Sequence, residues 1–155
     1  MSLPRLLFLT SLLFSGILAG LFAMGTVVLQ PVCVRLPAEA HILFRQRMIA
    51  RFRYLAPPAM LGALVSNLLT AIIITPGWSQ LLLLFNVAMY CASILITLLG
   101  NVPLNRQFME WQPKALPGNW MELIRRWAVY DQIRFALCLL GFLFALIATG
   151  LTRLH

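Results

Sequence analysis

The side chains best suited to chemistry in this 155-residue chain are concentrated around the ends of two apolar segments. Carboxylate, amide and guanidinium groups exchange protons with a bound molecule or hydrogen-bond to it. If the two segments are neighbouring helices, their ends meet and these residues form one polar cluster. Its members are Asn101, Asn105 and Arg106 after the third apolar segment, and Trp127, Asp131 and Arg134 before the fourth.

The same residues also have ordinary structural explanations. Asp131 and Arg134 are spaced i, i+3, so on a helix they can pair with each other. Arg134, at the edge of an apolar segment, can extend to a lipid phosphate, and Trp127 can anchor its helix at the membrane interface. The pattern therefore leaves open both a functional pocket and a structural ion pair.

Several other kinds of site are disfavoured by the residue types. The two histidines, His41 in a predicted loop and His155 at the terminus, exclude a bis-histidine haem within a helical bundle. No apolar segment has a carboxylate near its middle, which argues against proton-coupled export through one buried acid. Cys33, Cys91 and Cys138 are far apart and form no C-x-x-C pair. No metal centre and no cofactor are therefore expected.

The composition of the chain is typical of a membrane protein. Hydrophobic residues make up 61% of the chain and charged residues 10%, which is too little polar surface for a soluble globule. Four apolar segments, about 6–29, 58–75, 80–100 and 130–151, each approach the roughly 20 residues that a helix needs to cross hydrocarbon. The first is longer than the apolar core of a secretory signal, which spans roughly 7 to 15 residues. The sequence therefore predicts an all-α, integral-membrane four-helix bundle, with residues 1–155 forming a single membrane domain.

Basic residues are distributed unevenly between the two sides of the predicted bundle. The polar connections, residues 30–57 and 101–129, hold most of them, whereas Arg5 and Arg153 lie on the other side. By the positive-inside rule, both long connections are cytoplasmic and both termini lie outside, in a multi-pass protein of the plasma (inner) membrane. The expected partners of the basic residues are membrane lipids with anionic headgroups, and no nucleic acid is expected.

Each connection also shows a helical pattern. Pro37 suits a first helical position, and apolar residues then recur at helical spacing, which predicts a short amphipathic helix between spans one and two. This helix either lies at the headgroups or extends toward span two until Pro57-Pro58 interrupts it. Asn119 is a candidate N-cap for a long fourth helix that starts at Trp120 and projects from the membrane. Pro103 is expected to help end span three.

Small and polar residues predict how the spans pack. Glycines at small-xxx-small spacing, such as Gly16 with Gly20, favour close approach of helices, either within the bundle or in a homo-oligomer. A polar stripe in span three is expected to face the bundle interior, with Asn67 of span two as a candidate partner. It indicates either interhelical hydrogen bonding or a polar cavity. The stripe consists of Asn86, Tyr90, Ser93, Thr97 and Asn101.

Two motifs in the second half of the chain are similar to those of a known family. Residues 101–106, Asn-Val-Pro-Leu-Asn-Arg, are followed by Trp127-x-x-x-Asp131-x-x-Arg134 ahead of an apolar helix. Together with the four-span layout, these motifs resemble the DUF1772 family, which includes the anthrone oxygenases. At Asp131 the sequence departs from the family pattern, in which many relatives have histidine or asparagine.

The resemblance implies, for some members, oxidation of a polycyclic phenol such as an anthrone to its quinone without a cofactor. Such a substrate, once deprotonated, reacts with dioxygen itself, so the protein need only hold it, remove a proton and stabilise the enolate. The implied catalytic roles are a base for Asp131 and oxyanion stabilisers for Arg134 and Asn105. The candidates for substrate contact are Asn101, Arg106, Trp120 and Trp127, with either tryptophan as a wall for a flat ring.

Three functions remain open from the sequence. The leading interpretation is a small membrane protein that binds a lipid or a partner subunit. The alternatives are a cofactor-independent oxygenase of a lipophilic aromatic substrate and a small transporter. The layout of the helices does not decide among them, because one fold supports many functions.

Overall fold

Helix is a structure that satisfies the backbone of an apolar chain in lipid, because each N–H and C=O then pairs within its own segment. The computed structural model describes residues 3–74 and 76–153, and His155 lies outside them. Two π-helical turns interrupt the α-helices: the first π turn is Met24–Leu29 and the second π turn is Thr97–Asn101. The α-helices are α1 (Leu3–Ala23), α2 (Gln30–Cys33), α3 (Ala38–Ile73), α4 (Trp78–Ile96), α5 (Val102–Glu110) and α6 (Trp120–Arg153).

Within the described residues, four continuous helical segments are long and apolar enough to cross a membrane, which confirms the predicted fold class. They are Arg5–Cys33, Ala38–Ile73, Trp78–Glu110 and Trp120–Leu151. The first and third segments each pack against the second and fourth, so the segments form a ring with an up-down-up-down path. We call the end of the bundle at residues 34–37 and 111–119 the connection end, and the opposite end the terminal end.

Three apolar clusters fill the bundle along its length. The cluster at the terminal end includes Phe8 and Leu83, and the central cluster includes Leu18 and Tyr90. The cluster at the connection end is built around Phe108, which is fully buried. Residues that the sequence analysis assigned to polar connections therefore contribute a core of their own.

The predicted short amphipathic helix does not exist as a separate element, because it is the first half of the 36-residue helix α3. Pro57 and Pro58 lie inside α3 and remove two backbone N–H donors, yet the helix continues through them. Packing holds it on both sides: Ile42 belongs to the cluster at the connection end, and Met60 to the central cluster. Tertiary packing thus overrides the local preference of the two prolines.

The expectation that Pro103 helps end span three is also wrong. The N–H of Val102 bonds to the carbonyl of Thr97, five residues back, so the hydrogen-bond register has shifted just before the proline. Pro103 then occupies the second position of α5, where a proline is tolerated. The helix continues to Glu110, and its burial of Leu104 and Phe108 supplies the reason.

The helices extend into the predicted polar connections, 30–57 and 101–129. The non-helical residues within these two ranges are 34–37 and 111–119. His41, expected in a loop, lies in α3 and is fully buried. The long fourth helix is confirmed, since α6 begins at Trp120 and its 34 residues span about 50 Å at 1.5 Å per residue.

The polar stripe of span three faces the bundle interior as predicted. Its members contact α6: Asn86 donates to the carbonyl of Gly141, and Ser93 lies 3.4 Å from Cys138. Asn67 does not pair with the stripe, because its amide donates to Ser15 of α1. The stripe and Asn67 therefore serve two different helix interfaces.

Candidate functional site

A cavity of about 170 Å³ lies between the four membrane segments, in the half of the bundle nearer the connection end. Its wall is mainly apolar and aromatic, with five polar residues among those that line it. An apolar cavity of about 150 Å³ is large enough to bind benzene, so this one encloses about one aromatic ring. The lining residues are Leu21, Phe22, Gly25, Met48, Ile49, Phe52, Arg53, Ala56, Pro57, Thr97, Val102, Asn105, Trp127, Asp131 and Arg134.

A buried ion pair of α6 forms one wall of this cavity. Asp131 and Arg134, spaced i, i+3, are 3% and 8% exposed, and Nη2 of Arg134 donates to Oδ1 of Asp131. The guanidinium also lies 4.6 Å from the ring centroid of Phe22. Burial of two charges is tolerated when they pair and their remaining polar atoms are hydrogen-bonded.

Two threonines supply those remaining hydrogen bonds from opposite sides. Thr26 donates to Oδ2 of Asp131 at 2.8 Å, and Nη1 of Arg134 donates to the hydroxyl of Thr97 at 3.2 Å. Each carboxylate oxygen has more than one acceptor site, so Asp131 retains acceptor capacity. Among the described residues, Nε of Arg134 has no hydrogen-bond partner. The pair is therefore held in place, and both of its residues line the cavity.

The two π turns position these threonines. Thr26 lies in the first π turn and Thr97 begins the second. A π turn inserts one extra residue into a helical turn and so changes which side chains face a neighbouring helix. The N–H of Gln30 bonds to the carbonyl of Gly25, five residues back, as Val102 does to Thr97. Spans one and three thus use the same device to direct a hydroxyl at the ion pair.

A second polar contact fixes the indole of Trp127 in the cavity wall. Its Nε1–H donates to Oδ1 of Asn105 at 2.7 Å, and its backbone carbonyl accepts a bond from the amide of Asn101 at 3.4 Å. Asn105 and Trp127 both line the cavity. Because Asn105 holds the indole and Asn101 holds the backbone of the same residue, Trp127 presents a rigid aromatic surface to anything bound there.

A further buried arginine lies behind Trp127. Arg45 is 0% exposed, and its guanidinium lies 4.5 Å from the centroid of the Trp127 ring. Nη2 of Arg45 donates to Oε1 of Gln30 at 2.8 Å and lies 3.3 Å from Nε2 of His41. The rings of His41 and Trp120 pack nearly perpendicular to each other at a centroid distance of 5.6 Å. This arrangement connects α2, α3 and α6 directly beside the cavity.

Comparison with known proteins assigns the chain to a family. The sequence model of the family described as anthrone oxygenase matches residues 46–144, which is more than half of the chain. The chain belongs to the anthrone oxygenase family. Neither a curated protein nor a solved structure matches it. The region shared with the anthrone oxygenase family contains Asn105, Trp127, Asp131 and Arg134, whereas Thr26 and Arg45 precede it.

In this anthrone oxygenase family member, the seven predicted site residues have different positions. Asp131, Arg134, Asn105 and Trp127 line the cavity. Asn101 is buried behind Trp127 and supports it through the backbone bond. The two remaining candidates are not among the lining residues: Trp120 is half-buried against His41, and Arg106 is exposed.

Several residues that lie at or beside the site were not predicted from the sequence. Phe22 and Thr26 were assigned to an apolar span with no role in the site, and Arg45 was counted only as a basic residue of a connection. One signal was available, because His41, Arg45, Met48 and Phe52 recur at helical spacing and share a face of α3. Thr26 carries no comparable signal, because a single threonine is common in a membrane helix.

Proposed function

We propose that this chain is a membrane-embedded oxygenase that oxidises a lipophilic aromatic substrate of the anthrone type without a cofactor. The observation that carries the proposal is the aromatic-walled cavity with the Asp131–Arg134 pair in its lining. Membership of the anthrone oxygenase family supports the same reaction. The cavity encloses about one ring, so a fused-ring substrate extends toward Arg53, a lining residue whose side chain is exposed.

The chemistry needs only a proton acceptor, anion stabilisation and dioxygen. The acceptor removes one proton from the CH₂ of the anthrone and leaves an enolate. The enolate carbon forms a C–O bond with dioxygen, and protonation gives a hydroperoxide. Loss of the second C–H proton then forms the C=O bond as the O–O bond breaks and water leaves. The substrate loses two hydrogens and gains one oxygen atom. One atom of dioxygen becomes the new carbonyl oxygen of the quinone, and the other leaves in water.

The roles follow from the available polar atoms. Asp131 is the proton acceptor, since its carboxylate has acceptor sites beyond those used by Arg134 and Thr26. The guanidinium of Arg134 and the amide of Asn105, which both line the cavity, are the donors for the enolate oxygen. Trp127 and Phe22 are the surfaces against which a flat ring lies. Such a substrate reaches the cavity from the bilayer. Both connections lie on the cytoplasmic side of the membrane.

The decisive test is oxygen consumption by the purified protein in a neutral detergent with anthrone as substrate. We expect Asp131→Asn, which preserves the shape of the side chain, to reduce turnover by about 100-fold or more, as loss of a general base does. Quinone absorbance should rise in a one-to-one ratio with the oxygen consumed. Heat-denatured protein gives the rate of spontaneous oxidation.

The matched control for this test is Glu122→Gln, which neutralises an exposed carboxylate on the same helix. Its turnover should equal that of the wild type. Equal turnover by Asp131→Asn would remove Asp131 from the mechanism. Saturable binding of anthrone without oxygen consumption above background would overturn the oxygenase proposal and indicate a membrane protein that only binds its ligand.

A further inference from the structure

The buried charges around the cavity do not balance. Three charged side chains are buried in the described part of the chain: Arg45, Asp131 and Arg134. Asp131 and Arg134 neutralise each other as an ion pair. Arg45 instead contacts two uncharged groups, the amide of Gln30 and the ring of His41. Cys33 and Asp131 also act electrostatically on Arg45, but Cys33 is a buried thiol and Asp131 is already paired with Arg134. One positive charge is therefore in excess in the protein interior.

The hydrogen-bond donors of Arg45 that have no partner also indicate that its charge is uncompensated. Within residues 3–74 and 76–153, Nε and Nη1 of Arg45 are buried without hydrogen-bond partners, and no carboxylate lies within ion-pair distance. An isolated buried cation is unfavourable unless something compensates it. The two aromatic faces against Arg45, Trp127 at 4.5 Å and Phe108 at 5.8 Å, compensate it only in part.

The uncompensated charge lies close to the cavity. Arg45 does not line the cavity, but the indole that it stacks on does. Two arginines, Arg53 and Arg134, line the cavity itself, and Asp131 is the one carboxylate among the lining residues described. Charge interactions are strong where little water intervenes, so the field of Arg45 acts on whatever occupies the cavity.

We infer that the cavity binds its ligand as an anion, with Arg45 as the charge that compensates the ligand through the wall formed by Trp127. The class of ligand is a flat aromatic whose negative charge is delocalised, such as a phenolate or enolate, or an aromatic carboxylate. Trp127 provides the flat surface, and Arg45 behind it supplies positive charge without occupying space in the cavity. Arg45 is thus a positioning and electrostatic residue and not a catalytic one.

The consequence of this inference for catalysis rests on the proposed function. The experiment that tests anion binding does not. If the substrate is an anthrone, the buried positive charge favours its ionised form in the cavity and so assists removal of the proton. Asp131 then acts as the acceptor although it is itself held by Arg134 and Thr26. Binding of an unreactive anion can be measured with no oxygen consumption at all.

The test compares two probes with the same ring system, anthracene-9-carboxylate and the neutral anthracene-9-methanol, by fluorescence titration in a neutral detergent. The wild type should bind the anion about tenfold or more tightly than the neutral probe. Arg45→Met, which removes the charge but keeps an unbranched side chain, should reduce that preference to about twofold or less. Arg45→Lys, which keeps the charge without the planar group, should retain most of it.

Two controls separate this site from surface charge. Arg51→Met removes an exposed arginine of the same helix and should leave the preference unchanged. Raising NaCl from about 0.05 to about 0.5 M should also have little effect, since salt screens exposed charges more than buried ones. Equal affinity of the wild type for the two probes would overturn the inference, even if Arg45→Met failed to fold.

The variants also distinguish charge from shape. A preference that survives in Arg45→Met would overturn the role of Arg45, and an equal loss in Arg45→Met and Arg45→Lys would assign Arg45 to packing only. If the anion preference follows the charge but no variant or wild type consumes oxygen with anthrone, the oxygenase proposal fails and the anion site stands. The two proposals therefore fail on different measurements.

Discussion

The two halves of the bundle pack their helices with different types of residues. At the terminal end, Phe8, Leu83 and Ala145 pack in a purely apolar cluster. The buried hydroxyl groups there, such as those of Ser11 and Thr70, bond to carbonyls of their own helices. Near the connection end, the helices contain π turns, and the buried charged residues of the described chain surround a cavity.

This difference shows where the chain departs from the simplest membrane bundle. Small residues, together with hydroxyl groups that bond to carbonyls of their own helix, suffice to pack four helices in lipid. An ion pair, a lone buried arginine and a cavity all lower the stability that such packing provides, so their presence in one half of the molecule indicates function there. If this is so, substitutions at the buried polar groups near the connection end should lower the unfolding free energy more than similar substitutions near the terminal end.

The largest effect is expected from Arg134→Met. The substitution leaves Asp131 buried without its counter-charge, which costs about 3–5 kcal/mol of unfolding free energy when a buried pair is broken. Thermal or denaturant unfolding in detergent measures it. The double variant Asp131→Asn, Arg134→Met removes both charges and should recover most of the loss. A double variant as unstable as the single one would show that the pair contributes shape and not charge.

A smaller effect is expected from Thr26→Val, which deletes one hydrogen bond to the same carboxylate. Hydrogen bonds to charged groups contribute about 1.5–3 kcal/mol, and valine preserves the shape of threonine. Thr10→Val is the matched control, because the hydroxyl of Thr10 bonds to carbonyls of its own helix near the terminal end. Its unfolding free energy should stay close to that of the wild type. Equal losses in the two variants would contradict the distinction between the two halves.

The sequence was most informative where a pattern is periodic. Composition and the length of the apolar segments predicted the four spans, and the stripe from Asn86 to Asn101 predicted which face of span three lies inside. The spacing of Trp127, Asp131 and Arg134 also indicated residues that do line the cavity. In each case one helix determines the relation between the residues, so no knowledge of its neighbours is needed.

Prediction failed where the outcome depends on contacts between distant segments. The prolines at 57, 58 and 103 were expected to end or interrupt helices, but packing of Ile42 and Phe108 at the connection end keeps those helices continuous. Charge alone placed Arg45 at the membrane surface, because its partners Gln30 and Trp127 lie on other elements. Local preference is a weak guide when tertiary contacts oppose it.

The last prediction concerns the packing between α1 and α3, away from the ion pair. A methyl group at Gly62 would lie 2.6 Å from the ring of Phe14, so Gly62→Ala forces that ring to move and should cost about 1–3 kcal/mol of unfolding free energy. Gly20→Ala is the matched control, since no atom lies within 4 Å of the added methyl, and alanine in a helix is favoured by about 0.5–1 kcal/mol. Both variants should retain the wild-type preference for an anionic probe, because neither glycine lines the cavity. Loss of that preference in Gly62→Ala would show that the packing of the bundle and the site are coupled.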